Sequence, residues 1–127
     1  MKRSVLLLGF VLVGCVLLGH SQPPTKEYIY VLRPGRADLL VTGHTPAERV
    51  TQDRHQEYLA ALVKRGSIIL YGRTLTTDES TFGIVVFRAE SDEQARAIMN
   101  GDPGVKDGLM KATLYPYRVA YRDTSPR

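Results

Sequence analysis

The chain is poor in the residues that most often carry chemistry. Cysteine occurs once, as Cys15, and histidine three times, at His20, His44 and His55. Cys15 lies in an apolar leader, so a mature chain starting at Gln22 would hold no thiol. That excludes disulfides, thiolate nucleophiles and cysteine-based zinc sites, and it suits an oxidising compartment. No His-x-x-x-His or paired-carboxylate spacing occurs, and His44 falls in a loop, so no metal site is expected. Nor is there a glycine-rich phosphate loop or a Ser-His-Asp spacing, and no cofactor is expected. Basic residues form no run and do not alternate with aromatics, which argues against a nucleic-acid groove. Setting aside Lys2 and Arg3 lowers the formal net charge from +4 to +2, and the remaining excess reads as solvated surface.

What is present begins with that leader. Lys2 and Arg3 precede a nearly unbroken apolar run, Ser4 to Leu18, and Gly19-His20-Ser21 places small residues where a signal peptidase reads. Residues 1–21 are expected to be an export signal, too short to span a bilayer comfortably. The mature protein would then be periplasmic or extracellular. Leu12-Val13-Gly14-Cys15 offers a second reading, a bacterial lipobox with Cys15 as the lipid-bearing residue. Against it, Val16-Leu17-Leu18 continues the apolar run past the cysteine. An uncleaved anchor is the third reading, and no other membrane contact is expected.

The mature chain reads as one domain over 27–122, between a short tether at 22–26 and a tail at 123–127. Glu27 to Arg33 is β-branched and aromatic, a first strand ended by Pro34-Gly35. Arg36 to His44 reads as a loop with an apolar centre, Leu39-Leu40-Val41, of no assigned role. Thr45-Pro46-Ala47-Glu48 carries a capping box with proline at the first helical position. The helix it opens should run to about Arg65 and stop at Gly66. Ser67 to Tyr71 and Thr81 to Arg88 read as strands two and three. Ser91 and Gln94 form a second capping box for a helix from Asp92 to about Asn100. A helical turn fits Pro103 to Leu109, and Ala112 to Tyr121 reads as a fourth strand, which Pro116 assigns to a sheet edge.

Strand-helix-strand-strand-helix-strand is the ferredoxin-like split βαβ order. It predicts an α+β fold, a four-stranded antiparallel sheet with two helices on one face. Strands one and three carry apolar residues on both faces: Tyr28, Tyr30 and Leu32 against Ile29 and Val31, then Phe82, Ile84 and Val86 against Val85 and Phe87. Two helices cover only one face, so a homodimer through the open sheet face is expected.

Leu59, Leu62 and Val63 form the inward stripe of the first helix, and His55 lies four residues before Leu59 on that stripe. Ala95, Ile98 and Met99 form the stripe of the second helix, with Asp102 next in the series. Neighbouring helices on one sheet face would bring imidazole and carboxylate together. The carboxylate would hold one tautomer and leave the other ring nitrogen to move a proton. The plainer readings are a half-buried structural histidine and an aspartate that caps the turn at Pro103. Asp78 is a rival carboxylate. Gly72-Arg73-Thr74 has the donors to hold an anion, or is a plain turn. Tyr28, Tyr30 and Tyr58 read as core, and a tyrosine hydroxyl is available to a pocket. Arg73, Tyr58 and Tyr30 are the candidates for substrate binding.

Tyr28-Ile29-Tyr30-Val31-Leu32, His55-x-x-Tyr58-Leu59-x-x-Leu62, Leu70-Tyr71-Gly72-Arg73, Phe82-Gly83-Ile84-Val85-Val86-Phe87 and Asp102-Pro103 carry, in order, a resemblance to the YCII-related family over 27–121. The resemblance implies a dimer of the α+β barrel type. It also implies a histidine and an aspartate proposed as a catalytic pair, here His55 and Asp102. Two features depart from the family: the export signal, and Arg73-Thr74-Leu75-Thr76-Thr77-Asp78 where many members have Gly-Pro. The expected activity is proton transfer, isomerisation or elimination, on a small organic compound, with a non-catalytic binding or accessory module as the alternative.

Overall fold

A computed structural model describes residues 24–125. The expected export signal, the lipid-anchor reading at Cys15 and the far ends of the tether and tail lie outside the described residues. Eight elements follow in order: β1 (Lys26–Pro34), α1 (Leu39–Thr42), α2 (Pro46–Lys64), β2 (Ile68–Arg73), β3 (Gly83–Ala89), α3 (Asp92–Gly101), α4 (Pro103–Lys106) and β4 (Met110–Tyr117). The strands pair antiparallel in the order β2-β3-β1-β4. This is the ferredoxin-like order, with Pro116 on an edge strand, where its missing N–H breaks no inner ladder.

The core forms because period-two strands meet period-3.6 helices. Tyr28, Tyr30 and Leu32 on β1, with Val85, Phe87 and Ala89 on β3, are buried beneath Leu59 and Leu62 of α2 and Ala95 of α3. Register places Tyr28 beside Phe87 and Tyr30 beside Val85 on that one face. Both tyrosine rings also pack on Phe87, Tyr30 edge-on at 5.6 Å between centroids. Val63 corrects the expected stripe, because it is 49% exposed. Eight residues after His55, it has turned about 80° round the helix, off the buried arc.

Both ends of α2 are closed as its sequence requires. The Thr45 hydroxyl accepts from the Glu48 N–H and the Glu48 carboxylate accepts from the Thr45 N–H. At the other end Gly66 adopts φ +74°, and the Ser67 and Gly66 N–H groups donate to the Leu62 and Val63 carbonyls. The second capping box is only half formed. The Ser91 hydroxyl accepts from the Gln94 N–H, but the Gln94 side chain accepts from Glu90 N–H instead of Ser91.

Three strands differ from expectation for identifiable reasons. β4 starts at Met110, opposite Pro34 at the end of β1, and it ends at Tyr117, because β1 begins at Lys26 and offers no ladder beyond. Phe82 precedes β3, its N–H donating to the Thr74 hydroxyl in the connection from β2. β2 carries a bulge between Ile68 and Leu70, so Ile69 has no partner of its own. Strict alternation from Ile68 would turn Tyr71 to the open face. The bulge instead pairs Tyr71 with Val85 and Arg73 with Gly83, on the helix side.

The apolar segment after β1, expected to be a loop, contains the single turn α1. Leu39 is buried there. Arg36 holds this turn: its guanidinium donates to both Glu48 oxygens at 2.8 Å, to the Thr42 hydroxyl and to the Gly43 carbonyl, and pairs with Asp38. The Glu48 carboxyl is held well below its ordinary 4.5, at about 2, first by the Arg36 guanidinium and then by the Thr45 N–H. The unfolded chain therefore takes this proton before the folded one does. Glu48 stabilises the fold fully above its ordinary value, and the contribution is lost as pH falls toward about 2. The melting-temperature gap between wild type and Glu48→Gln is expected to be constant at neutral pH and to close between these limits. A gap that widens in acid would refute this linkage.

Candidate functional site

His55 sits midway along α2 and Asp102 at the junction of α3 and α4. The sequence brings them together as the inward stripes predict. His55 Nδ1 lies 2.7 Å from Asp102 Oδ1, with His55 4% and Asp102 0% exposed. The plainer reading of Asp102 holds at the same time. Asp102 is the N-cap of α4, where Oδ1 accepts from the Gly104 N–H at 2.9 Å. Its other oxygen accepts from the Tyr30 hydroxyl at 2.9 Å. A carboxylate has no hydrogen to give, so Nδ1 carries the hydrogen and donates it to Oδ1.

Asp78, the rival carboxylate, is exposed and accepts from the Ser80 N–H, away from His55. The Ser80 hydroxyl first, and then that bond, hold its carboxyl below the usual range.

Sequence reading missed Gly104. A Cβ there would lie 3.3 Å from both Asp102 Oδ1 and His55 Nδ1, and 3.2 Å from the Met110 methyl. A hydrogen at this position lets the pair close up. The dipeptide after Asp102, proline then glycine, was the available signal: a cap, a helix-starting proline and a residue with no side chain.

His55 also borders a cavity of about 610 Å³, within the usual range of small-molecule sites. Its lining includes Leu39, Leu40 and Gly43 from the segment after β1, and Tyr71, Arg73 and Phe82 from β2 and the approach to β3. The segment with no assigned role is thus a cavity wall, and His44 at its end lines the same space. Among the described residues His55 Nε2 has no hydrogen-bond partner, and no buried side-chain nitrogen or oxygen is left unpaired. Nε2 therefore keeps open surface on the cavity side while Nδ1 is anchored behind.

The remaining candidates separate. Arg73 lines the cavity. Tyr30 and Tyr58 do not, and each hydroxyl already has a protein partner: Asp102 for Tyr30, and the Ile98 carbonyl at 2.7 Å for Tyr58. Burial pushes both phenols up, reinforced by the nearby Asp102 charge. Tyr30 is a support of the pair, since its hydroxyl fixes the carboxylate plane. Among the described residues no three His, Cys, Asp or Glu side chains converge as a metal set would, and no helix is long and apolar enough to cross a membrane.

The fold and site define a ferredoxin-like α+β protein with a buried His–Asp pair beneath a small-molecule-sized cavity. Residues 29–116 match the YCII-related domain, and the chain belongs to that family. Solved structures similar to it include the following two. One is 5-chloro-2-hydroxyhydroquinone dehydrochlorinase from Burkholderia phenoliruptrix, in complex with 2,5-dihydroxybenzoquinone. It has 21% identity and a TM-score of 0.48 over 72% of this chain and 93% of that one. The other is an uncharacterized protein from Thermotoga maritima, with 12% identity and a TM-score of 0.48 over 75% of this chain and 100% of that one. No curated protein matches.

Proposed function

We propose that this YCII-family protein transfers a proton on a small organic compound held in the cavity, in an isomerisation or an elimination. His55 Nε2 is the acid or base and Asp102 its positioning partner. The observation that carries this is the division of the imidazole: Nδ1 anchored to a fully buried carboxylate, Nε2 bordering an open cavity. A histidine with a purely structural role has no need of a free nitrogen on a cavity. The test is solvent-deuterium exchange, followed by NMR, into a panel of small enolisable compounds. Wild type is expected to label at least one of them and His55→Asn none. Compounds bound by wild type without exchange would favour a non-catalytic binding module instead.

Export fits this reading, because the leader read from residues 1–21 and the thiol-free remainder suit an oxidising compartment. We further propose that a second copy covers the open sheet face. Half-buried Ile29, Val31 and Ile84 lie at its centre around Val86, which is already buried, and Leu70 and Tyr115 flank them at 48% and 50% exposure. Light scattering at micromolar concentration is expected to give the mass of a dimer. A monomer there would refute it.

A further inference from the structure

The cavity beside His55 is chemically one-sided. Two histidines and two arginines line it, and not one aspartate or glutamate does. The arginines come from different strands. Arg73 ends β2 on the helix side and is paired in register with Gly83. Arg33, one residue beyond Leu32 on β1, turns to the open sheet face, where it lies over the Phe82 ring at 5.7 Å, and still borders the cavity. Among the described residues neither guanidinium has a carboxylate within ion-pair distance. Arg36, nearby in sequence, shows the contrast, since Glu48 and Asp38 saturate it. Arg33 also borders a smaller groove lined by Asp78 and Glu79, so Arg73 is the cation with the least local compensation. The rest of the lining mixes apolar Leu32, Leu59 and Met110 with the neutral polar side chains of Gln52, Gln56 and Thr81.

We infer that the cavity takes an organic carboxylate, an acid group joined to an apolar body, with Arg73 as its principal anchor and Arg33 as a second cation. This rests on the proposed reading of the site and names its substrate class. A guanidinium fork matches a carboxylate in two parallel bonds. An anchor at the strand ends leaves the apolar body to extend toward His55. The asymmetry then orients the ligand: the charged end at the rim, the reacting carbon beneath Nε2.

The test uses matched pairs of one skeleton, a carboxylate and its primary amide: phenylacetate with phenylacetamide, benzoate with benzamide, hexanoate with hexanamide. Binding is read by titration calorimetry on the folded protein. At least one carboxylate is expected to bind about ten- to hundredfold more tightly than its amide, the range of a hydrogen-bonded charge. Arg73→Gln should remove most of that preference and Arg33→Gln a smaller part. Both positions are exposed, so both variants should keep the wild-type urea midpoint. His55→Asn should retain the preference, because it acts at the other end of the ligand. Amides bound as tightly as acids, no acid bound at all, or a preference untouched by both arginine variants would each overturn the inference. Carboxylate-selective binding without proton exchange would instead leave the inference standing and remove the proton-transfer reading.

Discussion

His55→Asn is expected to slow proton exchange into the bound compound by about a hundred- to ten-thousandfold, the usual contribution of a positioned acid or base. The choice of asparagine matters. Its amide nitrogen branches from Cγ as Nδ1 does, so it still has a donor to offer Asp102 Oδ1. What disappears is Nε2, the nitrogen on the cavity side. The variant should therefore melt close to wild type and still bind carboxylates. Exchange that survives at more than about a tenth of the wild-type rate would assign the proton transfer to another group. His44, which lines the same cavity, is the first alternative to examine.

Asp102→Ala is expected to have the largest effect on stability. It strips the acceptor from three buried donors together: His55 Nδ1, the Tyr30 hydroxyl and the Gly104 N–H. Each buried donor left without a partner costs about 1–3 kcal/mol, and the three together are a large part of the roughly 5–15 kcal/mol that holds most domains together. A lowered urea midpoint at unchanged slope is the expected reading. Asp102→Asn should be far milder. Its amide oxygen can still accept from Nδ1 and Gly104, while the Tyr30 hydroxyl can rotate to accept from the new amide nitrogen. Stability near wild type with impaired exchange in this variant would assign Asp102 to orienting the imidazole as well as to capping α4. Equal losses of stability in both variants would contradict the hydrogen-bond accounting.

How much of this was legible in the sequence depended on the range of the cause. The Thr45–Glu48 box and Gly66 are local, and they mark α2 within a residue of its ends. The four-residue step from His55 to Leu59 is also local, and it correctly turned the imidazole inward. Asp102 came from extending the periodicity of α3 by one step, and its double role as cap and partner was visible only as two competing readings. The α1 wall and the engaged hydroxyls of Tyr30 and Tyr58 were not legible, because each depends on what another segment brings within a few ångströms, and Gly104 was signalled only by its place after Asp102-Pro103. Val63 failed for a simpler reason. An apolar residue at the edge of a helical arc has the same hydropathy as one at its centre.

The bulge at Ile69 has a consequence for comparing this chain with its relatives. It works as an expansion joint in β2, absorbing one residue so that Ile68 can face the core while Tyr71 and Arg73, an odd number of positions on, still face the cavity. A relative lacking Ile69 would have a regular strand with the same two side chains at the rim. An alignment run through β2 without a gap would place Tyr71 and Arg73 opposite residues of the other sheet face. The cationic rim would then look absent from a relative that possesses it.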